Sequence, residues 1–147
     1  MTTILIIDED QTIRMLYSNE LSEDGYDVLA CGDAAEVMEL IRCRNPDLVV
    51  MEVRLRNYNG LDLLQHISLA YRDLPIILCT ACLAFMEDPR SLAARDYVVK
   101  SSKIDELKAV IRNVLDGGTV SRPASLPMHA DLHEPMAQMS LPWQNAR

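Results

Sequence analysis

Five times along this chain an apolar run gives way to an amphipathic stretch, and that alternation restricts the possible folds more than any other feature. Residues 3–8 form a continuous apolar run ending in acid, the pattern of a parallel strand buried on both faces. Residues 11–23 carry Ile13, Leu16, Tyr17 and Leu21 at helical spacing. Gly25 follows where a helix end calls for positive φ. Residues 26–31 read as a second strand. Asp33-Ala34-Ala35-Glu36 has the form of a capping box that opens a helix through about Arg44. Residues 47–53 predict a third strand. Asn59 or Gly60 begins a third helix, with Leu61, Leu64, Ile67 and Leu69 on its buried face. Residues 74–80 and 96–99 predict the last two strands, and 102–115 the last helix. Asp105 stands in that helix's first turn, where the dipole favours an anion, and Gly117-Gly118 stop it. The stretch 82–94 is the weakest: Pro89 is excluded from a helix interior, so 86–90 reads as a loop with a short helix on either side.

Repeated strand–helix units of this kind give a parallel sheet with helices on both faces and right-handed crossovers. Such an α/β, doubly wound five-stranded sheet takes its ligands outside the carboxyl ends of the strands. The domain is expected to span residues 1–118. Beyond it the character changes: four of the seven prolines lie between Pro123 and Pro142, and no periodicity survives. Residues 119–147 are therefore expected to form a flexible, Pro- and Met-containing tail. Met128, Met136, Met139, Leu141 and Trp143 are its candidate recognition residues.

The charge excludes some partners. With a formal net charge of −8 and no run of Lys or Arg, direct nucleic-acid binding is not expected. No apolar stretch is long enough to span a bilayer and the N-terminus leads straight into a strand, so no membrane association and cytoplasmic residence are expected. Of the four cysteines, Cys31, Cys43 and Cys79 fall inside predicted elements and read as small core hydrophobes. Cys79 and Cys82 form a C-x-x-C pair. It lacks the two further ligands of a zinc site, and it flanks a strand end rather than opening a helix as a redox motif would.

Polar residues converge at the carboxyl ends of the apolar runs. Asp8 and Glu9 close the first, Glu52 the third and Thr80 the fourth; Lys100, one of only three lysines, follows the fifth. Clustered carboxylates with a backbone carbonyl suit a hard cation such as Mg²⁺. A hydroxyl and an ammonium opposite them suit phosphoryl oxygens. Taken alone, Asp8, Glu9 and Asp10 are adequately explained as a helix cap; five such residues at strand ends are not.

These motifs resemble the receiver domain of bacterial response regulators, of the chemotaxis-regulator type, over residues 3 to about 116. Ile4-Leu5-Ile6-Ile7-Asp8-Glu9-Asp10 is similar to the opening strand with its acidic pair. Thr80-Ala81 resembles the hydroxyl switch residue and its small neighbour. Asp96-Tyr97-Val98-Val99-Lys100 resembles the fifth strand with its aromatic switch residue and lysine. Asn59-Gly60-Leu61-Asp62-Leu63-Leu64 resembles the loop and third helix. The resemblance implies a flavodoxin-like strand order, 2-1-3-4-5. It also implies Mg²⁺ held by Asp8, Glu9, the residue at 52 and the backbone carbonyl of Arg54.

Position 52 departs from the pattern. The family has there the aspartate that takes a phosphoryl group from a histidine kinase; this chain has Glu52. Arg56 and Ser101 stand where prolines are usual, Asn59 where an aspartate is common, and the stretch from Thr80 to Tyr97 is about two residues short. The extra methylene displaces the nucleophile by more than an ångström, a misplacement that can cost roughly a hundredfold in rate. It also places negative charge nearer Thr80 and Lys100, a partial imitation of a phosphoryl group. The expected function is an atypical, non-enzymatic receiver protein of two-component signalling. It would act by contact with a histidine kinase or a downstream protein, as a monomer or weak dimer, without ordinary aspartyl phosphorylation. The alternative is a Mg²⁺-dependent phosphoacceptor that dephosphorylates itself in the same pocket. A further reading makes residues 119–147 the functional part, with the domain as carrier.

Overall fold

The structure, a computed structural model, describes residues 1–101 and 103–117. The expected tail, 119–147, and Gly118 lie outside the described residues. Among the described residues seven strands and four α-helices follow in order: β1 (Thr3–Ile7), α1 (Gln11–Glu23), β2 (Asp27–Cys31), α2 (Val37–Arg44), β3 (Leu48–Met51), β4 (Arg54–Leu55), β5 (Tyr58–Asn59), α3 (Gly60–Ala70), β6 (Ile76–Thr80), β7 (Asp96–Val99) and α4 (Asp105–Leu115). β2, β1, β3, β6 and β7 pair in that order, all parallel. This is the expected five-stranded order. β4 and β5 form a separate antiparallel hairpin that the sequence reading did not foresee.

The sheet separates two apolar layers. Leu5 and Ile7 of β1, with Val49 and Met51 of β3, pack toward α2 and α3. Ile4, Ile6, Leu48 and Val50 pack toward α1 and α4. Alternate residues of each strand thus go to opposite faces, and both faces are covered, which is why the strands read as continuous apolar runs.

Local signals explain most element ends. Asp10 caps α1 by accepting the amides of Thr12 and Ile13, and Gly25 follows at φ 94°. Asn59 caps α3 through Leu61 N–H. Gly60 has its own reason: a Cβ there would run into the Val53 backbone, whose carbonyl accepts the Gly60 amide at 2.9 Å. Only glycine lets α3 begin so close to the end of β3.

Several expectations need correction. Asp33 caps a 3-10 turn, Ala34–Glu36, and the α-helix proper starts at Val37. α4 begins at Asp105 rather than 102. Leu16 and Leu69 are 46% and 42% exposed; Leu63 takes the buried place on α3. Cys43 is exposed, because it shares the outer face of α2 with Glu39 and Arg42. Between β6 and β7 the chain forms two 3-10 turns, Leu83–Glu87 and Pro89–Ala93, with Asp88 alone between them. Pro89 opens the second turn, a first-turn position that tolerates its missing N–H. No helix among the described residues is long and apolar enough to cross a membrane.

Candidate functional site

β1, β3, β6 and β7 end side by side, and their parallel register delivers the predicted polar residues to one place. Asp8 follows β1, Glu52 follows β3, Thr80 ends β6 and Lys100 follows β7. Backbone bonds lock these ends together: Glu52 N–H donates to Ile7 O at 2.9 Å and Lys100 N–H to Thr80 O at 2.8 Å.

The Lys100 ammonium lies between two carboxylates, 2.6 Å from Asp8 Oδ2 and 2.6 Å from Glu52 Oε2. The two carboxylates are buried, and the Lys100 side chain is 19% exposed. Burial by itself disfavours the charged ammonium, but the hydrogen bonds and charges of Asp8 and Glu52 outweigh it and raise the Lys100 pKa above its ordinary value. The remaining oxygens are also engaged. Asp8 Oδ1 accepts from Asp10 N–H at 2.9 Å. Glu52 Oε1 accepts from two successive amides, Val53 at 2.7 Å and Arg54 at 3.1 Å. The longer side chain of glutamate thus divides its two oxygens between its own loop and the lysine.

Other expected members stand apart. Glu9 turns outward and its carboxylate accepts the Arg56 amide, holding the β4–β5 hairpin. Thr80 is buried, and its hydroxyl accepts a weak bond from Cys82 N–H at 3.5 Å rather than meeting Glu52. Tyr97 packs inward, and its hydroxyl donates to Cys82 O. Burial pushes the Tyr97 phenol above its ordinary pKa. Behind the centre, Tyr17 OH and Cys79 Sγ are in contact at 3.7 Å, and burial pushes the Cys79 thiol up to about 11. Cys79 is therefore packed in the core against Tyr17.

Of the expected Mg²⁺ donors, Asp8, Glu9, Glu52 and the Arg54 carbonyl, the three carboxylates do not converge in this arrangement. Among the described residues no three His, Cys, Asp or Glu side chains are grouped so as to hold a metal ion. Asp8 and Glu52 share Lys100, and Glu9 faces the hairpin. The three carboxylates as arranged, two of them on Lys100 and one on the Arg56 amide, do not fit the near-octahedral demand of Mg²⁺.

Sequence reasoning also missed some participants. Arg14 Nη1 donates to Asp8 O at 2.7 Å, lying over Gly32 where any Cβ would collide with the guanidinium. Arg54 places its guanidinium 5.8 Å from the centre of the Phe85 ring. Arg90 binds Asp88 Oδ2 and Asp62 Oδ1, each at 2.7 Å, and so joins the second 3-10 turn to α3. Asp88 before Pro89 was the available signal for that turn: a cap followed by proline at the first helical position. A cleft of about 470 Å³ opens beside the centre, with Glu9, Asp33 and Glu36 facing Arg14 and Arg56. Its lining carries three carboxylates and two guanidinium groups.

Comparison with known proteins agrees with this architecture. Residues 4–112 match the response regulator receiver domain. A probable transcriptional regulator, ycf27, of Porphyridium aerugineum is 36% identical over 115 residues, covering 76% of this chain and 47% of that protein. The chain thus spans about half the length of such a relative. The response regulator TrrA of Thermotoga maritima, solved in complex with Mg²⁺-BeF, superposes with a TM-score of 0.75 at 34% identity, covering 78% of this chain and 99% of TrrA. TrrA in complex with the histidine kinase ThkA gives a TM-score of 0.74 at 35% identity, over 78% of this chain and 99% of that one. With its sheet order, its strand-end residues and the family match in agreement, the chain belongs to the response regulator receiver domain family.

Proposed function

We propose that this chain is a two-component receiver module whose state is set by a built-in charge at Glu52 rather than by aspartyl phosphorylation. The observation that carries the reading is the position of Lys100, 2.6 Å from both Glu52 and Asp8. The pocket already holds its negative charge and its countercharge. The glutamate's second oxygen is spent on the Val53 and Arg54 amides, so neither oxygen stands free to attack a phosphorus atom. The module works by protein contact in the cytoplasm, with a histidine kinase or a downstream protein as partner. The TrrA–ThkA complex supports the kinase as one such partner. The segment between β6 and β7, with Leu83 57% exposed, is the surface through which the state is read.

The second reading, a Mg²⁺-dependent phosphoacceptor with self-dephosphorylation, draws on TrrA having been solved with Mg²⁺-BeF. In this chain it requires Lys100 to release Glu52 and Glu9 to release Arg56. Incubation with Mg²⁺ and a small phosphodonor, followed by intact mass measurement, separates the two. The native chain is expected to remain unmodified while Glu52→Asp gains one phosphoryl group. A stoichiometric, base-labile adduct on Glu52 overturns the first reading and establishes the second.

A further inference from the structure

Glu52 touches more than its lysine. Its Oε1 accepts the amides of Val53 and Arg54 together, and this fixes the backbone where β4 begins. Arg54 is in register with Asn59 in the β4–β5 hairpin. The Arg54 side chain is exposed, yet its guanidinium lies 5.8 Å from the centre of the Phe85 ring. That distance is within the range of a cation–π contact. Phe85 is half-buried and packs against the α2–α3 core layer, and it belongs to the first 3-10 turn after β6. The same turn is tied onward: Ser91 Oγ donates to Met86 O at 3.2 Å, and Arg90 joins the next turn to Asp62 of α3.

We infer that Arg54 is a positioning residue linking Glu52 to the 83–93 segment, through its amide at one end and its guanidinium on Phe85 at the other. This route is separate from Thr80, whose hydroxyl does not meet Glu52, and from Tyr97, which holds the Cys82 carbonyl. It rests on the reading above that Glu52 sets the state and that the segment displays it. Glu52 spans both sides, with Oε1 on the two amides and Oε2 on Lys100. The glutamate and the arginine two residues on therefore work as a pair. Removing the charge of Arg54 leaves its amide on Glu52 and releases only the far end.

Hydrogen exchange of the full chain, read by mass spectrometry on peptides covering 83–93, tests the link. Arg54→Met and Phe85→Leu are each expected to raise exchange there by about two- to five-fold, the usual scale of a partly exposed cation–ring contact. Arg54→Lys and Phe85→Trp, which keep a cation and a ring, are expected to restore most of the protection; a merely structural role for bulk would not show that rescue. Glu52→Ala is expected to raise exchange alone but to add little on top of Arg54→Met, because the two act in series. Unchanged exchange in Arg54→Met beside a rise in Glu52→Ala overturns the link and leaves the proposed function standing, with Thr80 and Tyr97 as its route. Fully additive effects overturn the link in the same way. No effect of Glu52→Ala on the segment removes both the link and the reading beneath it.

Discussion

The strand-end centre and the segment between β6 and β7 lie a few residues apart and are built by opposite means. Asp8, Glu52 and Thr80 are buried, and every carboxylate oxygen of Asp8 and Glu52 has a short partner. Four parallel strands dictate where these groups stand. The segment has two 3-10 turns, one ring under a guanidinium, and ion pairs from Arg90 that are partly exposed. Surface pairs of that kind contribute little each, and short 3-10 turns add few hydrogen bonds. Under the proposed function, a small change in interaction energy that the centre absorbs would be enough to redistribute the conformations of the segment. The molecule thus joins a buried, fully paired charge cluster to a lightly tied surface segment.

The largest effect should come from removing the countercharge. Lys100→Ala leaves two buried carboxylates facing each other, and breaking a buried pair in this way costs about 3 kcal/mol or more. The side chain's 19% exposure places the expected loss at the lower end of that range. Urea denaturation measures it. A loss near zero would mean that Asp8 and Glu52 are not held by the lysine, and the contrast between a rigid centre and a responsive segment would collapse. Gly60→Ala should follow, at about 2 kcal/mol, because the new Cβ meets fixed Val53 backbone rather than a flexible side chain. The comparison is Gly25→Ala, where there is open space around the Cβ but φ is 94°. If Gly60→Ala loses next to nothing, the Val53 backbone gives way and close approach does not require glycine there.

The same contrast governs what could be read from the sequence. β1, β3 and β6 are buried on both faces, so their composition alone marks them as strands, and their ends mark the pocket. Asp8, Glu52 and Lys100 followed directly. What could not be read depends on side-chain direction at the surface. Glu9 adjoins Asp8, yet it leaves the pocket because the Arg56 amide offers it a donor on a hairpin of two-residue strands. Thr80 has the right position but turns its hydroxyl to Cys82. Leu16 and Leu69 sit at helical spacing from buried residues and still face out, since each helix contacts the sheet along a narrow stripe. Pro89 looked like a breaker and proved to be a start, because Asp88 before it supplies a cap through the Arg90 amide.

A smaller effect is expected from the tie between the segment and α3. Arg90→Ala removes the pairs to Asp88 and Asp62, and the global cost should stay within about 1 kcal/mol. Hydrogen exchange should nonetheless rise across 88–93 while β3 and β6 stay protected, since local opening draws on the least stable region first. A uniform rise over the whole domain would show that the segment and the centre open as one unit, and the distinction between them would fail.

The smallest effect is in pH, and there the two regions should part in opposite directions. Hydrogen bonding to Arg90, against some desolvation, holds the Asp88 carboxyl below its ordinary 3.8. A depressed acid contributes stability in full above the unfolded value and loses it as pH falls through the folded value. The stability difference between the native chain and Asp88→Asn should therefore be constant near neutrality and close below about pH 4. It should stay under about 1 kcal/mol throughout, because solvent screens the pair. For Lys100 the sign is reversed. Its pKa is raised above 10.5 on folding, so its contribution is complete below that value and fades only as pH rises through the folded one. The difference between the native chain and Lys100→Met should persist through neutrality and narrow as pH rises into strong alkali. Denaturation series at acid, neutral and alkaline pH on these three proteins would show it. If the Asp88→Asn difference closed in alkali, or the Lys100→Met difference closed near neutrality, the charges assigned to the two regions would be wrong.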